Sequence, residues 1–362
     1  MQSQIKVKRG YEASKVSMRG STTTMVEVKQ TEKTPLRVAA KGERNVVDLR
    51  AGDWVEVKSP AEIAETLDAD GTLDGLPFMP EMLEYCGRRF RVQQHIEKCC
   101  VEEPLWAFFM RSFPKKDVLF LEEVRCSGSA HDGCQRLCMI FWKAAWLRAV
   151  ETGGPAKEVN RRDLGRLESR LKTKSAPGKY FCQSTRLPSI TLDHKRSVTI
   201  SQAVRDLRSG AVSVPRMFLL LLIPLLRRIR HRYFGRPRLL GSLTKTEVGN
   251  LNLQPGELVR IKSLKEMQAT LDRHGKNRGL ICDIEIGRFS GQVQKVVGRL
   301  DRIICENTGE MRTVGGTVIL DRAPCICGDV FAGCPRRDYV YFRELWLERV
   351  NPAKDGTSKR EA

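Results

Sequence analysis

The chain has 362 residues, 41% of them hydrophobic, which suits about two or three ordinary domains and excludes a wholly disordered polymer. Its formal net charge of +20 is confined to two stretches: residues 151–250 carry 21 Lys/Arg against 7 Asp/Glu, and residues 1–50 carry 11 against 5. The remainder is neutral, so the charge marks a tail and a central segment that either attract a polyanion or simply stay solvated.

Residues 1–45 are polar, basic and rich in Ser and Thr, and read as a disordered basic tail. The opening Met-Gln-Ser-Gln-Ile-Lys-Val-Lys-Arg-Gly has no apolar core for a signal peptide, so a cytoplasmic location is expected. A first Cys/His module is expected over 46–150. Trp54, Glu56 and Lys58 alternate with Val55 and Val57, the pattern of a half-buried strand. Ser59 is placed as an N-cap, with Pro60 in the first helical position and a short helix from Ala61 to Leu67. Asp70-Gly71 and Asp74-Gly75 are turns, and Phe90–Val92 and Val118–Leu121 are further strands. Phe141–Val150 closes the module as an aromatic helix or strand; periodicity leaves that choice open.

Residues 151–250 read as a basic, partly helical linker with little core of its own. Gly153-Gly154-Pro155, Ala176-Pro177-Gly178 and Leu187-Pro188-Ser189 punctuate it, and a short helix is expected over Ser201–Ser209. A hydrophobic helix is expected over 216–232. It contains the most apolar run of the chain, Met217–Leu226, followed by Arg227, Arg228, Arg230 and Arg232. That run falls short of the roughly 20 residues a bilayer span needs, so no transmembrane span is expected. Two readings remain: a buried helix docked on a module, or a peripheral contact in the interface of an anionic membrane.

The second module is expected over 251–351, followed by a disordered tail at 352–362. Gly52–Ser59 aligns with Gly256–Ser263 at an offset of 204, and the same offset pairs Thr66-Leu67-Asp68 with Thr270-Leu271-Asp272, and Gly87 with Gly291. Further on, Cys100 matches Cys305, Cys126 matches Cys325, Cys134 matches Cys334, and Trp146-Leu147 matches Trp346-Leu347. The expected fold class is α+β, mainly β: two homologous small β-barrel-like modules, each with a short helix, joined by the basic linker.

The 12 cysteines divide six, one and five between first module, linker and second module. Without export, clustered thiols read as metal ligands rather than disulfides. Cys126, His131 and Cys134 have the spacing C-x4-H-x2-C, and Cys100 supplies a fourth ligand; the second set is Cys305, Cys325, Cys327 and Cys334. Zinc suits both sets, since it accepts thiolates and imidazole in a closed tetrahedron. An iron–sulfur cluster on Cys100, Cys126, Cys134 and Cys138 and buried free thiols are the alternatives. The match to Cys138 is Asp338, which weakens Cys138 as a ligand, and Cys86, Cys182 and Cys282 have no clear partner. Glu122, Glu123 and Asp132 are the carboxylates near enough in sequence to serve open-site zinc chemistry.

Gly75-Leu-Pro-Phe-Met-Pro-Glu-Met82, Cys86-Gly-Arg-Arg-Phe-Arg-Val92 and Phe141-Trp-Lys-Ala-Ala-Trp-Leu-Arg-Ala-Val150 resemble an uncharacterised bacterial family with two tandem Cys/His-containing modules. The resemblance implies surface-polysaccharide and glycosyltransferase gene neighbourhoods; it implies no activity and no catalytic residues. The function expected is that of a tandem-repeat, zinc-binding, non-enzymatic binding or scaffold protein. Its partner would be a protein or a polyanion. The alternatives are a metal-dependent enzyme or accessory factor of bacterial polysaccharide biosynthesis, and a nucleic-acid-binding regulator.

Overall fold

The computed structural model describes residues 45–103, 107–235, 238–249, 251–325 and 330–350. The expected tails, up to residue 44 and from residue 352, and Cys327 lie outside the described residues. The fold is mixed α/β, with antiparallel pairing between neighbouring strands in every sheet.

The first half is built on an open five-stranded sheet in the spatial order Trp142–Lys143, Val118–Leu121, Arg89–His95, Trp54–Val57, Leu147–Val150. The second half carries another, ordered Tyr339–Arg343, Thr317–Pro324, Val293–Arg299, Leu258–Ile261, Leu347–Arg349. Local chemistry explains the short helices beside the central strands. Helix α1 (Pro60–Ala64) starts at Ser59, whose hydroxyl accepts from the Glu62 amide while the Glu62 carboxylate reaches back to the Ser59 amide. Such a capping box satisfies two otherwise orphaned donors. Each sheet also has a bulge in its middle strand, between Val92 and Gln94 in the first and between Val296 and Gly298 in the second. A bulge bends the strand and increases its twist.

Phe141–Val150 is neither one helix nor one strand. Trp142–Lys143 and Leu147–Val150 are strands on opposite edges of the sheet, separated by a 3-10 turn at Ala144–Trp146. Trp142 and Trp146 are both buried, and the Trp146 indole donates to the Thr66 hydroxyl at 3.1 Å. Glu56 also departs from expectation. It is 2% exposed, held by Arg89 at 3.1 Å, Arg148 at 3.4 Å and Lys157 at 2.7 Å. The central segment folds over that face, with the Lys157 amide donating to the Gly87 carbonyl at 2.9 Å.

The stretch expected to have little core contributes to the first one. Helices α2 (Arg161–Glu168) and α3 (Gln183–Ile190) bury Leu167 and Leu187 in the cluster around Phe78, Trp142 and Trp146. Helix α4 (Arg196–Ser209) is longer than expected and docks through Gln202, whose amide takes the Glu97 N–H at 2.6 Å and donates to the His95 carbonyl and to Asp206, both at 2.7 Å. Helix α5 (Val214–Phe234) covers the expected 216–232. The buried reading of it fails for most of its surface: Met217 and Pro224 are its buried residues, while much of its apolar run faces outward. Among the described residues no helix is long and apolar enough to cross a membrane. The second core, around Val259, Leu320, Phe342 and Trp346, includes a sixth helix, α6 (Leu264–Gln268), through Met267.

Candidate functional site

The segment from Arg125 to Met139 is a coiled loop closed at its base. Arg125 and Met139 form an antiparallel bridge, and the Cys126 amide donates to the Cys138 carbonyl at 2.9 Å. Inside the loop Gly128 has φ +68°, and a Cβ there would lie 1.9 Å from the Cys134 carbonyl oxygen. Only glycine permits that approach. The coil turns Cys126, Cys134 and Cys138 toward one another. Cys182 joins them from the N-terminus of α3, where Gln183 anchors the chain by accepting from the Phe141 amide and donating to the Phe141 and Pro77 carbonyls at 2.8–3.0 Å. The four thiols line a cavity of about 30 Å³ together with Met79, Leu137, Met139 and Ile304.

Burial pushes the Cys126, Cys134 and Cys182 thiols up, Cys182 to about 12, and the neighbouring Cys138 thiol adds to each. Desolvation favours the uncharged form. Raised in this way, the three lack the lowered pKa that marks an activated cysteine. A cation would reverse that balance, because a coordinating thiol gives up its proton. Polar contacts to sulfur in this group are long: the Ile304 amide to Cys134 at 3.4 Å and the Ser184 hydroxyl to Cys138 at 3.5 Å.

His131, expected as a ligand, is in the cavity wall and 1% exposed. Its Nδ1 lies 2.6 Å from the Glu81 carboxylate and its Nε2 lies 3.1 Å from the Phe181 carbonyl. The Phe181 carbonyl can only accept, so Nε2 donates to it, while Nδ1 is held by the Glu81 carboxylate. Burial lowers its pKa, but the Glu81 hydrogen bond and charge outweigh that and hold the ring above its ordinary value. In this arrangement both ring nitrogens of His131 are taken by protein partners; it clamps the thiol loop to Glu81 and to the chain entering α3. Glu81, which the sequence did not single out, is the partner that decides this.

Asp132 points away from the cavity, accepting from the Tyr180 hydroxyl and pairing with Lys174 at 3.2 Å. Glu122 and Glu123 are exposed on the turn after Val118–Leu121. The expected catalytic carboxylates therefore stand outside the thiol group.

The structure also rearranges the two expected ligand sets. Cys100 is absent from the cavity lining; its sulfur lies 3.3 Å from that of Cys334, so one residue of each set meets one of the other. Cys305 is buried, with its amide bonded to the Glu310 carbonyl at 2.9 Å, and the Cys325 amide donates to the Asp338 carbonyl at 2.6 Å. Among the described residues no three His, Cys, Asp or Glu side chains converge closely enough to hold a single metal ion.

Beside the cavity lies a buried ionic seam between the halves. Arg336 grips Glu306 with two bonds at 2.6 and 2.9 Å, pairs with Asp338 at 2.8 Å and donates to the Cys100 carbonyl at 2.9 Å. Arg136, from the thiol loop, adds 3.6 Å contact with Glu306, which also accepts from the Glu102 amide at 3.1 Å. Gln135 accepts from the Asp301 and Arg302 amides at 2.6 and 3.0 Å. The thiol loop thus docks on the second half, together with the strand that carries Cys100 and Glu102. No family model, curated protein or solved structure matches the chain.

Proposed function

We propose that the chain is a non-enzymatic binding or scaffold protein, made of two copies of one β module, in which a metal centre held by Cys126, Cys134, Cys138 and Cys182 fixes the loop that joins the halves. The observation that carries this reading is the convergence of four thiols, from two distant parts of the chain, on one cavity. The cavity's place next to the seam supports a joining role, since its walls include Ile304 of the second half. The raised thiols support a structural rather than a nucleophilic role.

Zinc would need the four sulfurs to close to about 2.3 Å around one ion. An iron–sulfur cluster is the second reading. It is favoured by a cavity lying between thiols that do not meet at one point, and by the apolar Met79, Met139 and Ile304 around it.

Elemental analysis of protein purified anaerobically without chelator tests both. One zinc per chain, lost in C134S and C182S but kept in C100S and C334S, is the zinc result. Iron, inorganic sulfide and visible absorption with the same pattern of loss are the cluster result. Metal-free wild-type protein, or metal lost in C100S and kept in C182S, would overturn the assignment.

A further inference from the structure

Helix α5 presents an apolar stripe that nothing in the described residues covers. At 100° per residue, Met217, Leu220, Pro224 and Arg227 fall on one side. That side is the docked one. Pro224 has no N–H, so the Leu220 carbonyl lacks its helical donor; the Ala332 amide takes its place at 3.1 Å. Leu220 also packs against Gly333, Arg227 pairs with Glu285, and the Arg228 guanidinium lies 5.0 Å from the Phe331 ring centre. The helix is therefore fixed to the second half between Leu220 and Arg228.

The opposite side holds Phe218, Leu219, Leu225, Leu226, Ile229 and Tyr233, all exposed; Phe218, Leu226 and Tyr233 are 62%, 54% and 76% exposed. Between Met217 and Leu226 there is no polar side chain. Arg216, Arg230 and Arg232 flank the stripe, all exposed, and Val214–Phe234 contains no acidic residue. A patch of this kind marks an interaction site on a folded protein.

We propose that α5 lies in the plane of an anionic lipid surface, with the stripe in the acyl boundary and the flanking arginines among the headgroups. Three features favour lipid over a protein groove. The stripe is aliphatic and aromatic without a hydrogen-bonding group in its centre. Its border carries one sign of charge, the complement of anionic headgroups, where a protein rim mixes both. Arginine side chains also reach sideways from a buried stem to a wet surface. The docked face rules out threading through the bilayer, so the second half rests on the membrane.

The test is co-sedimentation of the full chain with phosphatidylcholine vesicles containing or lacking phosphatidylserine. Binding to the anionic vesicles is expected, weakening with salt. R230Q/R232Q should lose about fivefold in affinity per arginine. L219Q/L226Q should lose on the order of tenfold or more with unchanged far-UV circular dichroism, since both side chains already face solvent. No binding to anionic vesicles, or binding indifferent to L219Q/L226Q, would overturn the proposal. So would a dimer in sedimentation velocity that L219Q/L226Q dissociates, which would give the stripe to a second copy. Duplex DNA that competes with vesicles for wild type and L219Q/L226Q alike would give the arginines to nucleic acid and also overturn it.

Discussion

The two sheets use the same parts for different ends. In each, a Ser–Glu capping box starts the short helix, at Ser59 and Glu62 and again at Ser263 and Glu266. In each, a buried Trp donates to a Thr hydroxyl, Trp146 to Thr66 at 3.1 Å and Trp346 to Thr270 at 2.9 Å. Both bulges fall on the middle strand of the sheet, at Val92 and Val296, 204 residues apart. The central cross-strand pair even survives with its signs exchanged: Glu56 stands opposite Arg148, and Arg260 opposite Glu348. What differs is what covers each sheet. The first is wrapped by α2, α3 and α4 and holds the thiol cavity; the second carries α5 with its outer face bare. The two sheets share these local devices, and the segments packed on them make the two halves unlike.

The largest effect should come from breaking the seam that couples these halves. Glu306→Gln leaves Arg336 and Arg136 short of a buried counter-charge, which should cost about 3–5 kcal/mol. Because each half has its own core, urea unfolding followed by tryptophan fluorescence and by far-UV circular dichroism should then give curves that no longer coincide. A single coincident transition, shifted little, would mean that the seam does not couple the sheets.

A smaller effect, of opposite sign, belongs to the first half alone. Asp206, on α4, is buried, and burial raises its carboxyl from 3.8 to about 6. Between those values the native state holds a proton that the unfolded state has released. Stability therefore falls as pH rises through that window, and the deficit is complete above it. Asp206→Asn should remove the deficit, raising stability at neutral pH by on the order of 2 kcal/mol and flattening the dependence between pH 4 and 6. Equal pH profiles for variant and wild type would show that Asp206 is hydrated rather than desolvated.

The smallest test asks whether the shared parts are worth the same in both places. Ser59→Ala and Ser263→Ala should each cost about 1 kcal/mol by thermal unfolding. Unequal costs would show that the covering helices, not the caps, set the stability of the first module's entry.

Much of this was legible along the chain. Gly52–Ser59 and its match at Gly256–Ser263 announced strand, cap and helix, because alternation and capping depend on neighbours within a few residues. The length limit on Met217–Leu226 was equally local. Of the clustered cysteines, Cys126 and Cys134 line one cavity. Their partners were not legible. Cys182 stands 44 residues beyond Cys138 and reaches the cavity only because α3 packs against the Leu76–Pro77 strand and buries Leu187 in the first core. His131 matched a ligand spacing, yet Glu81, fifty residues earlier, takes its Nδ1. Cys100 aligned with Cys305 but meets Cys334, because the loop before Tyr339–Arg343 comes to rest on the Lys98–Glu103 strand, a contact between segments 234 residues apart. Sequence by itself determined the local elements and the apolar and basic character of α5, since those follow from propensity and nearest neighbours. Only the tertiary structure decided which thiols share a cavity, which charges are buried together and which face of α5 is left bare. Those outcomes depend on where distant segments come to rest against one another.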